Sequence, residues 1–278
     1  MKELPSHVYH FPGVTDGPCV VVMGGIHGNE RVGVKVVEKL LKTLKNAEVK
    51  GDIYLIIGNP MAVEGGIRFV DSDLNRLFEG DFKNSNYEEK RAKEIAPILS
   101  KADYLLDVHS TTKKSMPFVY CANTETHLNL AKVLGTQYIV SPSSTFKKPE
   151  TAACADNFVD MNGGVGLTYE CGWSMESAKS DEAFEKTKQF LKTLKIAFLD
   201  EPQPKTSIEP VLIQVYSRII AKSDNFVFED DYKNFDLVRI GEKIAKDGDS
   251  KIFVEKDSFI VFPKMDPKKG CVACFLGA

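Results

Sequence analysis

No stretch of the sequence is apolar for long enough to cross a bilayer. The longest apolar runs, 19–26 and 52–58, fall far short of the about 20 residues a membrane helix needs. No sign of charge dominates either: 36 Lys and Arg stand against 39 Asp and Glu, a net charge of -3. That balance gives no electrostatic footprint for nucleic acid or for an anionic membrane surface. Residues 1–20 lack a basic segment followed by an apolar one, so no secretory leader is read and a cytoplasmic location is expected. Cysteine is sparse and irregularly spaced, which argues against a disulfide framework. The lone CxxC, Cys271 and Cys274 in "GCVACFLGA", has no second pair to complete a zinc knuckle and is expected as buried strand thiols. Only 5 histidines occur in 278 residues, so where they fall is informative.

What is present is enough for a sizeable core: 43% of residues are hydrophobic and 27% charged, the balance of an ordinary globular chain. From residue 18 to about 200, short apolar runs alternate with amphipathic helices. "PCVVVMGG", "GDIYLIIGNP", "ADYLLDVHS", "PFVYCA", "QYIVSPS" and "VGLTYECG" read as strands, several of them buried on both faces. Val37, Leu40, Leu41 and Leu44 repeat at helical spacing. "NYEEKRAKEIAPILS" is a helix capped by Asn86 that Pro97 should kink or end, and "SDEAFEKTKQFLKTLKIAF" is a longer one. The alternation predicts an α/β fold, a mixed and largely parallel sheet sandwiched by helices. "DEPQPKT" (200–206) reads as a linker, and the strand-like segments beyond it as a small all-β domain packed on the first. The domains expected are therefore 1–203 and 204–278.

Reactive side chains interrupt the strand ends. His27 follows the first strand, Asn59 the second, His109 the third, and Glu170 ends "LTYE". If these strands are mainly parallel, all four lie along one carboxyl edge, where open α/β sheets place ligands. His27 and Glu30 stand three apart at the mouth of a helix, a spacing that puts both side chains on one face, with Gly28 allowing a tight turn. With His109 they make two imidazoles and one carboxylate, the donor set of catalytic zinc in carboxypeptidase A and thermolysin. Each piece alone also fits a satisfied core or surface residue. Asp107 is either a carboxylate orienting the His109 ring or a buried acid paired with backbone. Glu170 is costly to bury without purpose; in a zinc hydrolase a glutamate so placed takes a proton from the attacking water and passes it to the leaving amine. Arg68, Asn75 and Arg76 crowd one polar loop, "GGIRFVDSDLNRLF". Guanidinium groups there can grip a carboxylate or stabilise an oxyanion.

"GGIHGNE", "GNPMAV", "RFVDSDLNRLF", "DVHST" and "TYECG" occur in that order over residues 24–172. In combination they resemble the succinylglutamate desuccinylase/aspartoacylase family, a branch of the zinc carboxypeptidase (M14-like) fold. The resemblance implies one zinc ion per chain held by His27, Glu30 and His109, with Glu170 as general base and acid. It also implies that Arg68 polarises the scissile carbonyl and that Asn75 and Arg76 bind the free carboxylate of the substrate. The reaction implied is hydrolysis of a small N-acyl amino acid, with a C-terminal β domain that can narrow the entrance. One departure concerns the side-chain pocket: aspartoacylase carries an arginine about ten residues before its catalytic glutamate, whereas "CADNFVDMNGGVGLTY" has neither arginine nor lysine. Lys147 and Lys148 are read as a solvated loop pair ahead of a substitute for that charge. Two other readings compete with the deacylase: a metallocarboxypeptidase of the same fold acting on short peptides, and a catalytically silent metal-binding or regulatory protein. A small-molecule substrate is expected in any active reading, with neither nucleic acid nor membrane as partner; oligomerisation is possible and is not readable from sequence.

Overall fold

The computed structural model describes residues 4–79, 85–111, 113–144, 146, 154–173, 178–197 and 209–278. The expected linker at 200–206, Phe198, Lys147 and Lys148 lie outside them. In chain order the elements are β1 (Val8–Pro12), β2 (Cys19–Gly24), α1 (Arg31–Thr43), β3 (Asp52–Ile57), α2 (Pro60–Gly65), α3 (Tyr87–Leu99), β4 (Tyr104–Thr111) and β5 (Phe118–Cys121). There follow α4 (Glu125–Lys132), β6 (Tyr138–Pro142), α5 (Ala155–Met161), β7 (Val165–Trp173), α6 (Lys179–Thr193), β8 (Val211–Ile220), β9 (Phe226–Phe228) and β10 (Leu237–Val238). The last strands are β11 (Lys243–Asp247), β12 (Ser250–Phe253), β13 (Ser258–Val261) and β14 (Val272–Gly277).

Apolar strands with no polar face need cover on both sides, and that dictates the layering. Eleven strands form one sheet in the order β1-β3-β2-β4-β7-β5-β6-β8-β14-β13-β10. Its β3-β2-β4-β7 section is parallel, so the ends of these strands share one edge as expected. Val20, Val22, Leu106, Leu167 and Tyr169 face α1, α4 and α6 on one side, where Val37, Leu40, Ala131, Phe190 and Leu191 meet them. Val21, Met23 and Leu105 face α3 and α5 on the other, against Ala92, Ile95 and Val159. Each such aliphatic side chain contributes about 1.5–3 kcal/mol by burial. Asn86 caps α3 by accepting from the Glu89 N–H at 2.9 Å, and the helix runs through Pro97 to end two residues later.

Among the described residues the chain beyond 209 is all strand and turn, but its first strand does not start a new sheet. β8 pairs in parallel with β6, and β14, β13 and β10 follow outward by antiparallel pairing. The great sheet therefore runs across the expected boundary, and only β12-β11-β9 make a separate three-stranded sheet. In the CVAC segment Cys274 is buried on β14, while Cys271 precedes the strand and is exposed.

Candidate metal centre and cavity

The turn after β2 explains the histidine and glutamate in "GGIHGNE". Gly25 adopts φ +69°, a left-handed conformation that glycine takes without strain. Gly28 is needed for a different reason: a Cβ there would lie 2.0 Å from the Ala62 carbonyl carbon of α2. His27 and Glu30 do not share a helix face. Glu30 precedes α1 with φ -98° and ψ 77°, and its N–H donates to the His27 carbonyl at 3.1 Å. A hydrogen-bonded turn, not helical periodicity, brings the two side chains together.

His109 arrives from the end of β4, and one ligand atom from each of His27, Glu30 and His109 lies within 4.8 Å of the others. All three side chains are buried. The His109 Nδ1 is 3.0 Å from Glu30 Oε2 and the His27 Nδ1 is 2.8 Å from Glu30 Oε1. The latter contact is off the hydrogen-bond direction, so His27 Nδ1 has no hydrogen-bond partner among the described residues. Behind each ring stands a second carboxylate: Asp107 Oδ2 is 2.8 Å from His109 Nε2, and Asp73 Oδ1 is 3.0 Å from His27 Nε2. A carboxylate behind Nε2 with Nδ1 turned toward Glu30 is the arrangement that metal-binding histidines take. Two donors on one tetrahedral zinc with bonds of about 2.1 Å sit about 3.4 Å apart, inside the observed spread. The donor set fits a divalent cation electrostatically as well, since three buried or half-buried carboxylates surround two imidazoles. Burial pushes Glu30 up, but the His27 and His109 imidazoles outweigh it and hold the carboxyl well below its usual range. Burial pushes His109 down, while Asp107 and Glu30 together raise it well above an ordinary imidazole.

The cluster opens into a cavity of about 610 Å³ that all seven candidate residues line. Glu170 sits on β7 in register with His109 on β4, and its Oε2 has no hydrogen-bond partner among the described residues. Burial pushes this carboxyl up to about 7, against the opposing pull of His109. Arg68 is 42% exposed and spans Glu30 Oε1 at 3.4 Å and Asp73 Oδ2 at 3.2 Å. Asn75 accepts the Ala155 N–H at 2.9 Å through Oδ1, so its amide NH₂ is what it can offer a ligand. Arg76 donates to the Asn75 carbonyl at 2.6 Å and to Cys154 Sγ at 3.0 Å. Asn59, the other strand-end residue, is not a cavity residue: its side chain caps α2 and donates to Glu88 at 3.0 Å.

Three residues escaped the sequence reading. Asp73 backs His27 and accepts from the Asn75 N–H at 3.0 Å. Arg91 donates to the Gly58 and Ile57 carbonyls at the end of β3. Glu88, fully buried on α3, accepts from the backbone N–H groups of Val70, Asp71 and Ser72 at 2.6, 3.0 and 3.2 Å. One carboxylate thus fixes the backbone of the loop that carries Arg68, Asp73, Asn75 and Arg76. In sequence it passes for an ordinary first-turn acid favoured by the helix dipole. Replacing Glu88 by Gln turns an NH₂ group toward these donors and is expected to cost about 3 kcal/mol. Urea unfolding reads the loss, and an unchanged midpoint would deny Glu88 this role.

Fold and site define an α/β protein with a buried two-histidine, one-glutamate cluster at the carboxyl edge of its sheet. Residues 16–196 match the family model described as "Succinylglutamate desuccinylase/Aspartoacylase catalytic domain", and the chain belongs to that family. It is 30% identical over 187 residues to a "Probable aspartoacylase" of Nostoc sp., a match spanning 63% of this chain and 62% of that one. It is 28% identical over 276 residues to a "Succinylglutamate desuccinylase" of Pseudomonas syringae, spanning 92% and 81%. The crystal structure of succinylglutamate desuccinylase from Vibrio cholerae superposes with a TM-score of 0.77 at 21% identity, covering 98% of this chain and 85% of that chain.

Proposed function

We propose that this protein is a zinc-dependent hydrolase that cleaves the amide bond of a small N-acyl amino acid. The observation that carries the reading is the convergence of His27, Glu30 and His109, each histidine backed by a carboxylate, beside an unpartnered Glu170. Those three residues would hold the ion. Bound zinc would supply a Lewis acid that polarises the scissile carbonyl and acidifies water. Glu170 takes the proton from the attacking water at its Oε2 and hands it to the departing amine. Arg68, exposed and spanning two acids, turns to the developing oxyanion. The amide NH₂ of Asn75 and the guanidinium of Arg76 bind the free carboxylate.

We take 1–203 as the catalytic domain and 204–278 as an accessory β domain that contributes Lys233, Phe262 and Phe275 to the cavity wall. Among the described residues no helix is long and apolar enough to cross a membrane. The free thiols suit a reducing compartment, and we place the protein in the cytoplasm.

The test is metal analysis of the purified protein, followed by assay of N-acetyl and N-succinyl amino acids beside short peptides, each with free and blocked carboxylates. Bound zinc and turnover of N-acyl amino acids that needs the free carboxylate are expected. Turnover of peptides alone would replace the deacylase with a carboxypeptidase.

A further inference from the structure

Among the described residues four acids line the cavity: Glu30, Asp73, Asp156 and Glu170. Glu30 and Asp73 serve the cation site and Glu170 the proton transfer. Asp156 has no part in either.

Its position follows from the fold around it. Asp156 lies in the first turn of α5, directly after two residues that the clamp loop holds. Asn75 Oδ1 accepts the Ala155 N–H at 2.9 Å, and Arg76 donates to Cys154 Sγ at 3.0 Å. The Asp156 backbone is also pressed onto β7, where a Cβ at Gly166 would lie 2.2 Å from its carbonyl oxygen. The acid is thus fixed beside the groups proposed to bind the free carboxylate.

A first-turn acid is ordinarily a partner of the helix dipole that faces water. Asp156 is instead 5% exposed. Its carboxylate accepts from the Asn157 N–H, and no lysine or arginine pairs with it among the described residues. Burial pushes the carboxyl up to about 6, and the nearby acids Asp160 and Asp107 add to the rise. Asp160, one turn further along α5, is the structural acid of that helix: it stands 2.8 Å from His127 Nε2 and accepts the Gly166 N–H at 2.7 Å. A buried carboxylate without such a set of partners is a cost to the fold that an entering cation offsets.

The lysines of the cavity do not meet that need. Lys113 is paired with Asp231 at 3.0 Å and Lys114 lies over the Trp173 ring. Lys233 and Lys264 line the cavity from the turns before β10 and after β13, and neither pairs with Asp156.

We propose that Asp156 is the counter-ion for a cationic side chain, and that the substrate is an N-acyl diamino acid whose second, free amino group meets this carboxylate. The inference rests on the amidohydrolase reading above and narrows it. An amino acid carries its carboxylate and its side chain on one carbon, so a carboxylate held by Asn75 and Arg76 directs the side chain toward their neighbours. A charge-assisted hydrogen bond in a desolvated site discriminates against an uncharged group of similar length.

Calorimetric titration of the metal-loaded Glu170→Gln variant with four probes tests it: Nα-acetylornithine, Nα-acetyllysine, N-acetylnorvaline and N-acetylglutamate. One of the two cationic probes is expected to bind at least about tenfold more tightly than N-acetylnorvaline or N-acetylglutamate. Adding Asp156→Asn should bring that preference to within about twofold, with metal content and thermal midpoint unchanged. Adding Asp156→Glu, which keeps the charge on a longer stem, should retain the preference and move the optimum toward the shorter side chain. Equal or tighter binding of either uncharged or acidic side chain, no binding by any probe, a preference that survives Asp156→Asn, or one lost in folded Asp156→Glu would overturn the counter-ion. A lowered midpoint in Asp156→Asn would make the residue a structural acid and overturn it as well. Hydrolysis assays of the wild-type protein separate the two claims. Turnover of N-acetylnorvaline or N-acetylglutamate without preference for the cationic substrates sinks the counter-ion and leaves the amidohydrolase. Cation-selective binding that depends on Asp156, with no N-acyl amino acid hydrolysed, sinks the amidohydrolase and leaves the counter-ion.

Discussion

Glu170→Gln is expected to lower kcat by about 10³- to 10⁴-fold while leaving metal content unchanged, the loss typical of removing a positioned general base. The substitution preserves the shape of the side chain and removes its ability to take a proton. The register of β7 against β4 sets Glu170 opposite His109, so it is placed by strand pairing that the substitution leaves alone. Its Oε2 makes no hydrogen bond among the described residues, so no native donor is orphaned when the oxygen becomes NH₂. A loss through misfolding would show as a shift in thermal unfolding, and a loss through the metal site as a fall in metal content. Neither is expected. A rate within tenfold of wild type would remove Glu170 from the chemistry and return the silent metal-binding reading to the front.

The residues legible in the sequence were those that violate a local rule. His27, His109 and Glu170 each stop an apolar run with a group that is expensive to bury, and parallel pairing of β2, β4 and β7 brings those stops to one edge. The shared helix face expected of His27 and Glu30 is replaced by a turn, because periodicity cannot distinguish the first turn of a helix from the turn leading into it. Glu88 and Asp73 were hidden for the opposite reason. Each obeys local expectation, one as a first-turn helix acid and one as a cap of the turn at Leu74–Arg76. Only tertiary contacts reveal that the first anchors the loop and the second backs a histidine.

The C-terminal strands show a further limit. Alternation and turn residues identify β8, β13 and β14 as strands, but a strand signal carries no information about its partner. Docking of β8 on β6 joins the C-terminal strands to the great sheet, a pairing that the strand signal alone does not carry. That docking also brings Tyr120, Val215 and Phe275, from strands far apart in the chain, to the lining of one cavity. In sequence each is an ordinary core residue of its own strand.

His109→Ala is expected to lose its metal on dialysis, from stoichiometric to less than about a tenth, because it removes one of three protein donors to the ion. The imidazole is buried between Glu30 Oε2 at 3.0 Å and Asp107 Oδ2 at 2.8 Å, so its removal leaves both carboxylates facing an empty space. Uncompensated buried charge of this kind costs about 3–5 kcal/mol, and the variant is expected to unfold earlier as well. Asp107→Asn separates the two effects. It keeps the imidazole and weakens only what stands behind the ring, so metal affinity should fall about 10- to 100-fold without being abolished. Competition with a chelator of known affinity reads the graded loss, and circular dichroism confirms that both variants are folded when measured. If folded His109→Ala retained stoichiometric zinc, the ion would be bound elsewhere. Glu170 would then have no acidified water to deprotonate, and the proposed hydrolysis would fail at its first step.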